Sequence, residues 1–200
     1  DLMRSQCVNM KPEDIPMDDP AIYQMISQGD TDGVFQLEGG GMRTFLTNMQ
    51  PENFEDIIAA ISLYRPGPME SIPRYIAGKR DPASVHYETP QLAPILDVTY
   101  GCMVYQEQVM QIVRDLAGYS YGRSDLVRRA MAKKKKDVMA AERKNFVYGS
   151  EKEHVPGAVN RGVPAAVAEH IFDEMTAFAS YAFNKAHAAC YAVVAVQTGW

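Results

Sequence analysis

Apolar residues recur at helical spacing along much of the chain, and this periodicity restricts the fold more than any other feature. Between Val104 and Ala117 they stand at 109, 112, 113 and 116, and between Pro164 and Phe178 at 167, 171 and 175. Such stripes are typical of amphipathic helices that bury one face. Strict alternation is confined to Gly33–Glu38, a candidate short strand or extended segment. The pattern therefore predicts a mainly α, multi-helix fold with little or no sheet.

Glycine and proline mark where these helices begin and end. Asp19-Pro20 has the pattern of a helix start, with an N-cap followed by proline at the first helical position. The run Arg65-Pro66-Gly67-Pro68 ends a helix abruptly, and Gly118 ends another. The last helix is predicted to begin near Lys185.

Composition excludes several classes of protein. The 200 residues carry a formal net charge of −5, so any nucleic-acid binding has to come from local basic surfaces. The three cysteines, Cys7, Cys102 and Cys190, are widely separated, which fits a reduced cytoplasmic protein without a disulfide framework. No apolar run reaches the roughly 18 residues of a membrane span. Because the chain opens on Asp1 and closes on Trp200 without a helix stop, we expect a fragment of a longer protein.

A basic segment near the middle of the chain is the first candidate binding site. Arg128 and Arg129 are adjacent, and lysines follow at 133, 134, 135 and 136. Crowded cations repel one another unless a polyanion neutralises them, and arginine binds phosphate oxygens with paired hydrogen bonds. A solvated helix end, with lysines favoured by the helix dipole, explains the run equally well.

The segment from Ser180 to Tyr191 is the second candidate. In a helix beginning near Lys185, His187 and Tyr191 are four residues apart and share a face. With small alanines between them, a cation, an imidazole and an aromatic ring can hold a phosphate and stack a base. Ordinary packing of the two rings is the alternative. Arg65, in a rigid proline-rich loop, is a third candidate, with a surface arginine beside a helix stop as its alternative.

Acidic and metal-binding patterns are weak. Asp19 is interpreted as a helix cap, and Asp30 and Asp32 are interpreted as turn residues rather than ligands of two bridged metal ions. The four histidines show neither paired helical spacing nor zinc spacing. We therefore expect no metal site and no catalytic residue in this chain. Glu107, in the polar start of a helix at 106–108, is interpreted as a helix-start residue, with the ordering of a basic partner as the alternative.

Eight motifs occur in order along the chain. They are Ile15-Pro-Met-Asp-Asp-Pro20, Gly33-Val-Phe-Gln-Leu-Glu38, Phe54-Glu-Asp-Ile-Ile58, Leu63-Tyr-Arg-Pro-Gly-Pro68, Tyr105-Gln-Glu-Gln-Val-Met-Gln111, Leu116-Ala-Gly-Tyr119, Arg128-Arg-Ala-Met131 and Phe183-Asn-Lys-Ala-His187. Together they closely resemble the C family of DNA polymerases, the alpha subunits of bacterial DNA polymerase III. The resemblance covers the chain from about Ile15 to Trp200, and eight motifs in sequence are far more specific than one.

The resemblance implies a place for the chain within a polymerase. Residues 1–19 would lead in from the palm domain, and residues 20–200 would form the helical fingers region, truncated at both ends. In the family, three palm aspartates bind two Mg²⁺ ions, and no acidic motif here matches them. The implied cofactor is therefore Mg²⁺ held by the absent palm, with none held by this fragment, which is expected to be inactive alone. The implied partners are a deoxynucleoside triphosphate, primer-template DNA and other replisome subunits, with no membrane.

The resemblance also implies roles for individual residues. Arg128 and Arg129 resemble the arginines that meet the triphosphate, and Lys185 and His187 resemble further phosphate ligands. Tyr191 resembles the residue beside the sugar or base. The remaining nucleotide-site candidates are Tyr181, Asn184 and Arg65, and the candidates for the DNA phosphate backbone are Lys133, Lys134 and Lys135.

Two other functions are compatible with the residues. A non-enzymatic helical module would bind a phosphorylated ligand or a partner protein through the same basic segment. An independent nucleotidyltransferase would use the acidic pair Asp18 and Asp19 or the pair Asp30 and Asp32.

Overall fold

The computed structural model describes residues 11–133 and 136–200, and these residues are mainly helical with no sheet. The predicted mainly α fold class is confirmed. Short 3₁₀ turns connect many of the helices. The α-helices are α1 (Pro20–Ser27), α2 (Gly40–Met49), α3 (Phe54–Leu63), α4 (Ile72–Arg80), α5 (Ala93–Leu96), α6 (Gln106–Ala117), α7 (Tyr121–Ala132), α8 (Lys136–Tyr148), α9 (Ala165–Phe178) and α10 (Lys185–Gly199).

The local signals for helix ends were informative, whereas the short alternating segment was misleading. The Asp19 side chain accepts a hydrogen bond from the Ala21 backbone N–H at 2.9 Å, so the predicted cap of α1 is confirmed. The predicted start of the last helix at Lys185 is confirmed as well. The strand considered at Gly33–Glu38 is wrong, because this segment forms turns in which Gln36 has a φ of 66°. Its buried side chains, Val34 and Leu37, are three residues apart, and Phe35 between them is 36% exposed.

Contacts divide the chain into two compact units, and each is described by itself. The first unit contains the described residues up to Ile61 together with Ala186–Trp200. Helices α1 and α2 pack against each other, and the buried side of α10 is formed by alanines and Val196. The backbone N–H of Phe35 donates to the Thr198 hydroxyl at 2.9 Å, which ties the turn segment to the end of α10.

The second unit, Ser62–Lys185, is built around the periodic helices that the sequence predicts. Helix α6 packs on α7, and α8 packs on α9. Ile112, Leu116, Met131 and Phe172 are buried in its apolar core. Gly118 ends α6 with a φ of 79°, a conformation in which a side chain would be strained. The core holds the first turns of α6 and the arginine-bearing α7 at a fixed separation.

Among the described residues, extended pairing is limited to isolated bridges, one of which joins Tyr105 to Phe183 in parallel. None of the helices within those residues has the length and apolar character needed to cross a membrane.

Candidate functional site

The start of helix α6 is the point at which distant motifs of the second unit meet. The Gln106 backbone N–H donates to the Phe183 carbonyl at 2.8 Å, and the Phe183 N–H donates to the Val104 carbonyl at 3.3 Å. These two bonds form the isolated parallel bridge. They hold residues 181–184, the segment before α10, against the residues before α6. Tyr105, at the bridge, is 2% exposed, so the junction is anchored in the core.

The Gln106 side chain extends this junction to helix α7. Its Oε1 atom accepts a hydrogen bond from Arg128 Nη1 at 3.1 Å. Its Nε2 atom donates to the Ala182 carbonyl at 3.0 Å. One neutral amide therefore uses both its acceptor and its donor, and it connects an arginine of α7 to the segment that leads into α10.

Arg128 and Arg129 share one counter-ion on their own helix. Asp125 Oδ1 accepts from Arg128 Nη2 at 2.8 Å, and Asp125 Oδ2 accepts from Arg129 Nε at 2.7 Å. Hydrogen bonding from Arg128 is the main cause that lowers the pKa of Asp125, so the carboxylate is ionised at neutral pH. The Arg128 side chain is 17% exposed and the Arg129 side chain 64% exposed, so Arg128 is held while Arg129 faces solvent.

Glu107 fixes the start of the lysine-bearing helix. Its carboxylate accepts from the Lys185 backbone N–H at 3.1 and 3.2 Å and from the Asn184 side-chain amide at 2.8 Å. A carboxylate at a helix N-terminus satisfies unpaired N–H groups and favours the helix dipole. The Lys185 ammonium lies 5.3 Å from the centre of the Tyr105 ring, within the range of a cation–π contact. Glu107 thus lies in the first turn of α6, as interpreted from the sequence, and its carboxylate also holds the backbone N–H of a basic residue.

Arg65 also holds the segment before α10 in place. Its guanidinium lies 4.2 Å over the Phe183 ring, and its Nη2 atom donates to the Tyr181 carbonyl at 2.6 Å. Burial lowers the pKa of Arg65, and the aromatic ring and the carbonyl compensate for the lost water. The Tyr181 ring packs on Gly67 so closely that a Cβ at that glycine would lie 2.4 Å from Tyr181 Cδ1.

The remaining predicted site residues lie elsewhere or outside the description. His187 and Tyr191 belong to the first unit, where their ring centres are 4.4 Å apart and Tyr191 also meets Phe35 edge to face. Lys133 is exposed just beyond α7. The two other predicted backbone contacts, Lys134 and Lys135, lie outside the described residues.

The second unit therefore brings together six of the predicted site residues. Gln106 joins Arg128 to the segment that contains Tyr181, Asn184 and Lys185. Arg129 is tied to Arg128 through Asp125, and Arg65 reaches the same segment through the Tyr181 carbonyl. Sequence reasoning missed Gln106 and Asp125. The spacing of Asp125, three and four residues before the arginines, was a usable signal for an ion pair on one helix. Nothing in the sequence indicates that Gln106 reaches Ala182, which is 76 residues away.

The acidic pairs have local structural roles, in agreement with the sequence interpretation. Asp19 caps α1, and Asp32 forms an ion pair with Arg43. Among the described residues, the carboxylates nearest the arginines and Lys185 are already engaged by arginine or backbone N–H groups. Mg²⁺ prefers several oxygen ligands in an octahedral arrangement, so this donor set does not fit a magnesium site.

Within residues 11–133 and 136–200, one group of three side chains has the spacing to hold a metal ion, and the sequence pattern did not indicate it. The ligand atoms of Glu88, His170 and Glu174 lie within 4.8 Å of one another. His170 Nδ1 is 2.6 Å from Glu88 Oε1, so this contact already accounts for two of the three residues. Exposed acidic groups commonly lie together without a metal, and we assign no function to the group.

Comparison with known proteins identifies the family of the chain. Residues 1–154 match the model of the bacterial DNA polymerase III alpha subunit finger domain, which covers most of the chain. The chain belongs to this family. It is 46% identical over 188 residues to the DNA polymerase III subunit alpha of Staphylococcus aureus strains Mu50 and N315, and 46% identical to that of Staphylococcus epidermidis.

The aligned part covers 94% of this chain but 17% of the length of each of these relatives. The chain therefore spans about a sixth of the length of these relatives, and its family membership is established. Its resemblance to C-family polymerases, first seen in the eight motifs, is confirmed. The position of residues 1–19 as a lead-in from the palm stays a prediction.

Proposed function

We propose that this chain is part of a replicative DNA-directed DNA polymerase and that it binds the triphosphate of the incoming deoxynucleotide. The supporting observation is the Gln106 junction, which joins Arg128 to the segment that leads into α10 and Lys185. Guanidinium groups bind phosphate oxygens with directed hydrogen bonds, and an ammonium adds a point charge. Cationic groups from motifs far apart in the chain are thereby available to one polyanion.

In this proposal Asp125 neutralises the two arginines in the absence of nucleotide, and the triphosphate competes with it when nucleotide binds. One carboxylate neutralises half of the charge of two guanidiniums, so the pair retains a net positive charge. A triphosphate carries more negative charge than one carboxylate and competes for both arginines. Arg129, exposed along most of its side chain, is the group that turns towards the ligand with the least loss of packing.

The other predicted residues take supporting roles in the proposal. Lys185 and His187 are further phosphate ligands, and Tyr191 lies beside the sugar or the base. Tyr181 and Asn184 are neighbours of the nucleotide. Arg65, which stacks on Phe183, acts mainly by holding the segment that precedes Lys185.

The proposed contribution of these residues to catalysis rests on their positive charge. Nucleotidyl transfer releases pyrophosphate, and its negative charge grows in the transition state. Arg128, Arg129 and Lys185 would stabilise that charge, and His187 would hydrogen-bond the leaving group or give it a proton. The metal ions of the reaction, proposed to be Mg²⁺, would be held by a palm domain, because the donor groups described above do not fit them.

We further propose that Lys133, Lys134 and Lys135 contact the phosphate backbone of primer-template DNA. Other replisome subunits would bind through regions beyond these 200 residues. The bacterial relatives support a place in the cytoplasm.

Single-nucleotide incorporation by the complete polymerase tests the triphosphate proposal. Arg128→Ala, Arg129→Ala and Lys185→Ala are each expected to lower incorporation efficiency on the order of 100-fold, the loss typical of one transition-state donor. Arg161→Ala is the matched control, because the guanidinium of Arg161 hydrogen-bonds the Asp115 carbonyl instead. Unchanged kinetics in Arg128→Ala would remove Arg128 from the site.

The isolated chain offers a second test. We propose that it does not extend a primer and that it binds nucleotide or DNA weakly, with a strong dependence on salt. Primer extension by the purified 200 residues in Mg²⁺ would contradict the first statement. Binding that ignores salt, or that prefers a peptide, would instead favour a helical protein-binding module.

A further inference from the structure

We infer that Gln106 is a positioning residue that aims the Arg128 guanidinium at the triphosphate. This inference rests on the proposed function, since it assigns to Gln106 an effect that acts through Arg128. Three bonds converge on this residue, two from its amide and one from its backbone N–H. They reach Arg128 on α7, and Ala182 and Phe183 on the segment before α10.

The chemistry of an amide suits this position better than any other side chain of that length. The carbonyl oxygen accepts from a guanidinium without cancelling its charge, whereas a carboxylate would form an ion pair and compete with phosphate. The NH₂ group donates to a backbone carbonyl, which a carboxylate cannot do. Gln106 therefore orients Arg128 and leaves its positive charge available.

The arrangement fixes the direction in which Arg128 points. Asp125 accepts from the Nε and Nη2 atoms of the guanidinium, and Gln106 accepts from Nη1. Hydrogen bonds from two sides leave the planar group little freedom to rotate. Glu107, the next residue, holds the Lys185 N–H, so two adjacent side chains of α6 set the positions of both cationic elements.

The test is a double-mutant cycle in the complete polymerase, measured as incorporation efficiency for a single deoxynucleotide. Gln106→Met keeps the length and helix propensity of the side chain while it removes both amide hydrogen bonds. We expect it to lower efficiency about 10-fold, as expected for the loss of a hydrogen bond to a charged group. In an Arg128→Ala background the same substitution should lower efficiency by less than about 2-fold, because its effect passes through Arg128.

Gln111→Met is the matched control, since it makes the same chemical change on α6 at a partly buried position that the site does not use. Primer-template affinity should match the parent protein in both variants. Both should stay folded at the assay temperature, although Gln106→Met loses two hydrogen bonds and should unfold at a lower temperature than Gln111→Met. Equal losses in the two backgrounds, or no loss in either, would overturn the positioning role. So would a Gln106→Met protein that unfolds while Gln111→Met stays folded, because Gln106 would then be a structural residue.

The outcomes also separate this inference from the proposed function. If Arg128→Ala itself leaves incorporation unchanged, the triphosphate proposal fails. If Arg128→Ala is impaired and Gln106→Met acts independently of it, the triphosphate proposal stands and only the role of Gln106 is lost.

Discussion

Replacing Gly67 with alanine should destabilise the second unit, for two reasons that the structure separates. Gly67 has a φ of +99°, and a Cβ there would lie 2.4 Å from Tyr181 Cδ1 and 2.5 Å from Cγ. The backbone conformation of Gly67, with a ψ of −75°, lies outside the left-handed helical region and costs roughly 1–3 kcal/mol for a residue with a side chain. Overpacking of a tight contact adds about 1–3 kcal/mol. The expected loss in the free energy of unfolding is therefore about 2–6 kcal/mol.

Two other glycines of the same unit serve as matched controls. Gly162, with a φ of +88° and a ψ of 10°, is in the left-handed helical region and has nothing within 4 Å of an added Cβ, so Gly162→Ala carries a backbone cost alone, about 1–2 kcal/mol. Gly122 is helical and equally open, and Gly122→Ala should stabilise by up to about 1 kcal/mol. Urea unfolding followed by circular dichroism measures all three.

The same series tests how the Tyr181 contact affects the segment before α10. Adding Tyr181→Ala to Gly67→Ala should recover most of the overpacking cost, because the ring that the new Cβ meets is gone. If Gly67→Ala and Gly162→Ala cost the same, the close contact with Tyr181 has no energetic weight and the reasoning is refuted.

Three further predictions concern a helix start, a tyrosine and two cysteines. Glu107→Ala should lower the free energy of unfolding by about 1 kcal/mol in urea, because the start of α10 loses its acceptor; an unchanged midpoint would contradict this. Burial, aided by Glu142, raises the pKa of Tyr119 above its ordinary value of 10.0. The contribution of the neutral Tyr119 side chain to the free energy of unfolding is therefore fully present below that pH and is lost as the pH rises further. Tyr119→Phe should show a smaller alkaline loss in thermal unfolding, and an identical loss would count against the assignment. Burial raises the pKa of Cys102 to about 11, so iodoacetamide at neutral pH should modify the exposed Cys190 while Cys102 stays unmodified, as mass spectrometry of peptides would show.

Much of the fold follows from periodicity, because each long helix buries one apolar stripe against its neighbours. The spacing at 109, 112, 113 and 116 predicts α6, and the Asp19-Pro20 pair predicts the start of α1. The turns at Gly33–Glu38 were misjudged because the buried residues, Val34 and Leu37, are three apart, and a six-residue window is too short to separate that spacing from alternation. A local pattern depends on residues that are neighbours in sequence, so it does not show which segments pack against one another in the fold.

The residue types of the candidate site could be predicted from the sequence, whereas the contacts between those residues could not. Arg128, Arg129 and Lys185 stand out through charge and motif, whereas Gln106 is an unremarkable polar residue at a helix start. Its importance comes from contacts with residues that are 22 and 76 positions away, which only the packing of α6 against α7 and the chain before α10 brings within reach. Arg65 likewise reaches Tyr181 across 116 positions.

The most direct measurement is a structure of the complete polymerase bound to primer-template DNA and an unreactive deoxynucleoside triphosphate. We expect triphosphate oxygens within hydrogen-bond distance of Arg128 or Arg129 and of Lys185, with Asp125 displaced from at least one arginine. A triphosphate bound elsewhere, with Arg128 still held by Asp125 and Gln106 and with Lys185 turned away from it, would contradict the account.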